Sequence, residues 1–76
     1  MEYDEKRIEE AVLALLATFS DGNGNAWKGF DFEVMNRLHD KGFISNPVSK
    51  SKSIWLTSEG LEQGRKIADR LFAEKP

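Results

Sequence analysis

The sequence predicts an α+β domain with three helices and a two-stranded β wing. Apolar residues recur at helical spacing in three stretches, and residues 43–56 contain two short extended apolar segments around a basic serine–lysine turn. A helix-capping threonine follows the second extended segment directly. Helix, ribbon and helix in this order form the layout of a wing. A chain of 76 residues supports one small core, so residues 1–76 are assigned to a single domain.

The first helix is predicted over residues 4–19, with Asp4 as its N-cap. Its apolar stripe consists of Ile8, Ala11, Val12, Leu15 and Phe19. Leu13 and Leu16 widen this stripe beyond what one contact needs, so both are candidate partner-binding residues. The glycine- and asparagine-rich run 20–25 ends the helix, and residues 21–30 are predicted to be irregular.

The second helix is predicted over residues 31–41, capped by Asp31 and ended by Gly42 in a left-handed conformation. Arg37 and Lys41 are four residues apart and therefore share one face of this helix. Asn36 lies on a neighbouring face.

The ribbon is predicted over residues 43–56, with its tip at 49–52, and the third helix over residues 58–73, with Thr57 as N-cap. Gly64 costs helix stability, so it is expected to allow another backbone to approach closely. Phe72 extends the apolar face of this helix and is a further candidate contact to a partner.

Composition indicates a globular domain without disulfides, thiolate zinc sites or a membrane-spanning segment. The chain has no cysteine, which excludes disulfides and thiolate zinc sites. No apolar run is long enough to cross a bilayer, and the acidic N-terminal residues are unlike a secretory signal, so a cytoplasmic location is expected.

The net charge of −2 is distributed unevenly. Residues 1–27 carry six acidic and two basic side chains, whereas residues 28–52 carry five basic and three acidic ones. The basic excess therefore falls on the second helix and the predicted wing, although it is smaller than that of most dedicated DNA-binding domains.

The chain lacks the residue sets of an enzyme or a metal protein. Residues 21–25 begin like a calcium loop, but Ala26 and Phe32 occupy the positions that need glycine and a bidentate glutamate. His39 is the single histidine, and no serine or carboxylate stands at a spacing typical of a catalytic triad. We predict no catalytic residues, no metal site and no cofactor.

The two tryptophans allow a packing and a contact interpretation. Trp55 alternates with Ile54 and Leu56 on a strand, so packing in or at the edge of the core is favoured. Trp27 lies in a loop, where an aromatic residue is either a lid over the core or a contact to a ligand or partner. The lid is the favoured interpretation, and the partner contact remains as its alternative.

Two resemblances to known families rest on the central and C-terminal motifs. The wing region resembles that of winged-helix regulators of the multiple-antibiotic-resistance type, through the motifs Leu38-x-x-Lys41-Gly42-Phe43-Ile44 and Leu56-Thr57-x-Glu59-Gly60. Those regulators have a further short helix before the recognition helix, where this chain has the irregular interval 21–30. Over its whole length the chain is similar to a family of short bacterial proteins known only as a domain of unknown function, through the motifs AWKGFDF, LHxKG, NPV, KSKS and LTxEG. This second resemblance implies a winged-helix-like fold and a bacterial origin, and it implies no activity.

Two classes of function remain. The first is a nucleic-acid-binding regulator that contacts DNA through Asn36, Arg37, Lys41, Lys50 and Lys52. The second is a protein-interaction module or a homodimer, formed through the first or third helix and using Leu13, Leu16, Trp27 and Phe72. The first is preferred at this stage because it also explains where the basic charge lies.

Overall fold

Three helices and a two-stranded antiparallel sheet make up the fold, which confirms the predicted α+β, winged-helix-like class. The structure is a computed structural model that describes residues 2–74. In chain order the elements are α1 (Glu5–Phe19), β1 (Asn25–Trp27), α2 (Phe32–Asp40), β2 (Ser53–Trp55) and α3 (Ser58–Phe72).

All three helices begin at the predicted caps. The Asp4 carboxylate accepts backbone N–H groups at the start of α1, the Asp31 carboxylate does so for α2, and the Thr57 hydroxyl does so for α3. Each cap satisfies donors that the first turn of a helix leaves free. After α2, Gly42 has a φ of +80°, which is the left-handed conformation predicted for it.

The sheet pairs strands that differ from the predicted hairpin. β2 pairs with β1, with Ala26 opposite Ile54, and β1 lies inside the interval predicted to be irregular. From the predicted first strand of the wing, Ile44 forms one isolated bridge with Leu56. A strand of three residues is too short to produce a readable alternation, which is why the sequence did not reveal β1. The interval 21–30 thus contains a strand and no helix.

The core lies between α1, α2, α3 and the inner face of the ribbon. Its largest fully buried side chains are Leu13, Leu16, Met35, Leu38, Ile44 and Ile54. α1 and α3 pack closely at Gly64, where an added Cβ atom would lie 2.6 Å from the Cβ of Ala17 and 2.9 Å from the carbonyl oxygen of Leu13. The predicted close approach at Gly64 is therefore confirmed, and it brings two helices together.

Candidate functional site

One charged side chain is buried among residues 2–74, and it is that of Glu9, which is 4% exposed. Glu9 lies on α1, and its two carboxylate oxygens accept hydrogen bonds from Arg37 Nε and Lys41 Nζ of α2. Arg37 also donates to Glu5 at 3.0 Å and lies 4.0 Å from Glu33. We call these five residues the Glu9 cluster.

Hydrogen bonding decides the protonation of this cluster. The bond from Lys41 is the largest influence on Glu9 and holds the pKa of its carboxyl below the ordinary value of 4.5, although burial acts in the opposite direction. The bond to Glu9 is likewise the main cause that raises the pKa of the Arg37 guanidinium above its ordinary value. Glu9 is therefore ionised at neutral pH, and its charge is compensated inside the protein.

The Glu9 cluster engages two residues predicted to contact nucleic acid. Arg37 and Lys41 do share one face of α2, but this face is turned toward α1. Three carboxylates surround the two cations, so the local charge is not positive. Asn36, the third candidate on α2, is half-buried.

Glu9 is not among the candidate residues predicted from the sequence. A readable signal was present, because Glu9 precedes Val12 by three residues and Leu13 by four, which places it on the apolar stripe. A second signal was the matching spacing of Glu5 with Glu9 and of Arg37 with Lys41, four residues apart in each helix.

The tip of the ribbon carries the remaining candidates for nucleic-acid binding. Lys50 and Lys52 are exposed, and neither forms an ion pair with another residue in the range 2–74. Lys28, which was not a candidate, has a structural role beside them. Its Nζ donates to the carbonyl oxygens of Pro47 and Ser49, each at 2.8 Å, and so fixes the turn.

An exposed apolar surface covers the end of the molecule where α1 stops and α2 begins. Five side chains define this aromatic surface: Phe19, Trp27, Phe30, Phe32 and Val48. Four of them are largely exposed, at 77% for Phe19, 68% for Trp27, 60% for Phe32 and 64% for Val48. The half-buried Phe30 joins them, because it lines two neighbouring depressions. One of about 160 Å³ also includes Phe19 and Trp27, and the other, of about 290 Å³, also includes Phe32 and Val48.

Backbone geometry fixes Trp27 on this surface. Ala26 points into the core, so the alternation along β1 turns Trp27 outward. A Cβ atom at position 29 would overlap the indole ring, which shows that the ring lies directly over Gly29. The lid predicted for Trp27 is therefore wrong, and the exposed ring fits the alternative of a contact residue.

Three further predictions are corrected by burial. Leu13 and Leu16 are 2% and 1% exposed, so they belong to the core and cannot bind a partner in this fold. The broad stripe of α1 exists because α1 packs against α2, α3 and β1 at once. Trp55 was expected to pack in or at the edge of the core, but it is 52% exposed on the outer face of β2. Phe72 is 47% exposed and remains available.

The polar residues with possible site chemistry have local structural roles. The Asp21 carboxylate accepts the backbone N–H groups of Asn23 and Asn25 and so shapes the turn after α1. His39 Nδ1 lies 3.0 Å from the carbonyl oxygen of Ile44. Within residues 2–74 there is no group of three His, Cys, Asp or Glu side chains that could hold a metal ion. None of the helices in this range has the length and apolar character needed to cross a membrane.

Comparison with known proteins places the chain in a family. Residues 4–74 match the model of a family described as a domain of unknown function, DUF6429. The chain is also similar to the uncharacterized protein y4hR of Sinorhizobium fredii (strain NBRC 101917 / NGR234), with 50% identity over 72 residues, which are 95% of this chain and 97% of that protein. No solved structure gives a significant match. The match covers nearly the whole chain, so this protein belongs to the DUF6429 family of domains of unknown function.

Proposed function

We propose that this chain is a non-catalytic protein-interaction module and that the aromatic surface is its contact site. The observation that carries this proposal is the exposure of Phe19, Trp27 and Phe32 together at one end of the molecule. Large apolar side chains that lie side by side on the surface of a small domain mark an interaction site far more often than scattered ones do. Aromatic residues are also the type most enriched in the centre of protein interfaces.

The charge around this surface supports a protein partner. Lys28, which lines the depression that contains Phe32 and Val48, already donates to two backbone carbonyl groups. Asp31 is occupied as the cap of α2. These contacts replace part of the water around both charges, which lowers the desolvation cost when a partner covers the aromatic side chains.

Site-specific photo-cross-linking in the bacterial cell tests the proposal. A photoreactive phenylalanine analogue replaces Phe19 in one variant and Phe32 in another, and Lys66 on the exposed side of α3 serves as the matched control. Irradiation is expected to give protein adducts, including any with a second copy, from the two aromatic positions and few from the control. Adducts that are absent at both aromatic positions, or equally abundant at the control, would overturn the proposal.

Nucleic-acid binding is a second candidate function, favoured by Lys50 and Lys52, which are exposed and form no ion pair within residues 2–74. These lysines, with serines beside them, have the chemistry of phosphate contacts. Arg37 and Lys41 contribute little to this candidate, because they are bound to Glu9.

An NMR titration with a random-sequence duplex at low salt tests nucleic-acid binding. Binding is expected to shift residues 49–53 and to disappear in a Lys50→Glu/Lys52→Glu variant, and an absence of shifts at low salt would end this candidate, since phosphate attraction is strongest there.

A further inference from the structure

We infer that the aromatic surface binds the aromatic surface of a second copy of this chain, in a dimer with two-fold symmetry. This inference rests on the proposed function and names its partner. In a two-fold interface the same patch occurs on both sides, so each group near the axis faces its own counterpart.

The five side chains that define the aromatic surface are all uncharged, which suits a patch that must meet itself. A lysine or glutamate near a two-fold axis would face an identical charge, and like charges in contact oppose association. Here the Lys28 ammonium is held by Pro47 and Ser49, and the Asp31 carboxylate accepts the N–H of Val34. The side chains that would meet at the axis are therefore aromatic and aliphatic.

The exposed aromatic side chains supply a substantial part of the area that a dimer needs. An aromatic side chain buries about 150–250 Å² when it is fully covered. At exposures of 77%, 68% and 60%, Phe19, Trp27 and Phe32 together offer roughly 400 Å² per copy. This is about half of the ~800 Å² that each partner contributes to a standard interface. Val48 adds to it at 64% exposure, and Trp55, which is not one of the five defining residues, shares the outer face of the sheet with Trp27 and is 52% exposed.

The size of the domain favours a second copy over an unrelated partner. A chain of 76 residues without cysteine must stabilise itself through one small core. Pairing of two copies extends that core across the interface, which is one of the ways in which small domains without disulfides or metals reach adequate stability. A transient partner would leave the Phe19 and Trp27 side chains exposed to water whenever that partner is not bound.

Analytical ultracentrifugation from low to high micromolar concentration tests the inference on three full-length chains. These are the wild type, a Phe19→Ser/Trp27→Ser variant and a Leu71→Ser/Phe72→Ser variant. The last is a matched control, because Leu71 and Phe72 are also about half exposed, and Leu71 lies beside Arg7 and Glu10, near the opposite end of α1. Circular dichroism shows whether each variant is folded, and a Trp27→Lys single variant, which places a charge on the aromatic surface, replaces the double variant if that one fails to fold.

The wild type and the control are expected to dimerise, with a melting temperature that rises with concentration. The aromatic variant is expected to dissociate about 30-fold more readily or to be monomeric throughout. A monomeric wild type at all concentrations, or loss of the dimer in the control alone, would overturn the inference. A monomeric wild type that still forms adducts with other proteins from Phe19 and Phe32 would remove the second copy as partner and leave the proposed function standing. Absence of both the dimer and the adducts would remove both.

Discussion

The Glu9 cluster and the aromatic surface depart in opposite ways from the usual burial of apolar side chains and exposure of charged ones. At the cluster a carboxylate is buried between two helices, and at the aromatic surface three large aromatic side chains lie in water. Buried charge and exposed apolar area are the two departures from the usual distribution that carry information about a protein. The two departures differ in one respect, which is whether the chain itself supplies the partner.

The cluster is satisfied internally, because Arg37 and Lys41 donate to both oxygens of Glu9. It therefore explains how α2 is held against α1 and needs nothing from outside. No other part of the described chain covers Phe19, Trp27 or Phe32. The comparison shows that Arg37 and Lys41 of α2 stabilise the fold. The aromatic side chains have no such role within the described chain, so their exposure is explained by an interaction.

Between the two regions compared, the larger effect on stability is expected from removing the charge of Glu9. Glu9→Gln keeps the size of the side chain, but the amide has a single acceptor oxygen, so one charge-assisted hydrogen bond becomes weaker and the other is lost. It should lower the free energy of unfolding by about 1–3 kcal/mol, measured by urea denaturation. Glu10→Gln is the matched control, since Glu10 pairs with Arg70 near the surface at 3.2 Å and should change stability by less than about 1 kcal/mol. Equal effects of the two changes would show that the cluster does not hold α2 in place.

The pH dependence of the unfolding free energy tests the same contribution of Glu9. Because the folded protein lowers the pKa of Glu9 from its ordinary value of 4.5, the ionised carboxylate stabilises the fold fully above that pH. The contribution is lost as the pH falls through the lower, folded-state pKa. The difference in unfolding free energy between wild type and Glu9→Gln should therefore be constant near neutral pH and should shrink under acid conditions below 4.5. A difference that grew on acidification would contradict this sign.

At the aromatic surface a comparable truncation is expected to leave the monomer nearly unchanged. Phe19→Ser removes a side chain that is 77% exposed, so the unfolding free energy of the dilute, monomeric protein should change by no more than about 0.5 kcal/mol. Denaturation at the lowest measurable concentration tests this, with Leu16→Ala, a core change expected to cost about 2–5 kcal/mol, as the contrasting control. A large loss from Phe19→Ser would mean that this residue belongs to the fold as Glu9 does.

The smallest effect is expected from the free charges of the ribbon tip. Lys50→Glu/Lys52→Glu should alter stability by less than about 0.5 kcal/mol, because neither lysine is paired within the described chain. Lys28→Met is the matched change at a lysine that does hold the turn, and it should lower the melting temperature measurably. A loss of stability as large as that of Lys28→Met would show that Lys50 and Lys52 have a structural role in the fold.

Local sequence patterns predicted the helices correctly, but they predicted the pairing of the strands only in part. Asp4, Asp31 and Thr57 are capping residues directly before apolar-periodic runs, so the starts of the helices could be read correctly. β1 could not, because three residues give no period and its partner strand is 28 residues away for the pair of Ala26 with Ile54. Pairing of distant segments is set by packing, which no local pattern encodes.

The candidate residues divided in the same way. The sequence did place Arg37 and Lys41 on one face of a helix. It also gave Phe72 as a candidate contact to a partner, and Trp27 as one only in the alternative to a lid over the core. It did not show that the face of Arg37 and Lys41 is turned toward Glu9, or that Leu13 and Leu16 are enclosed on all sides.

The sequence by itself determined the class of the fold, the three helices and their caps, because these follow from hydrogen bonds and periodicity within a few residues of the chain. Tertiary structure alone decided which charges are neutralised and which aromatic residues stay in water. Those properties depend on how α1, α2, α3 and the ribbon are arranged around one core. A side chain on a helix becomes part of a fold or of a surface only when it is known what lies against it.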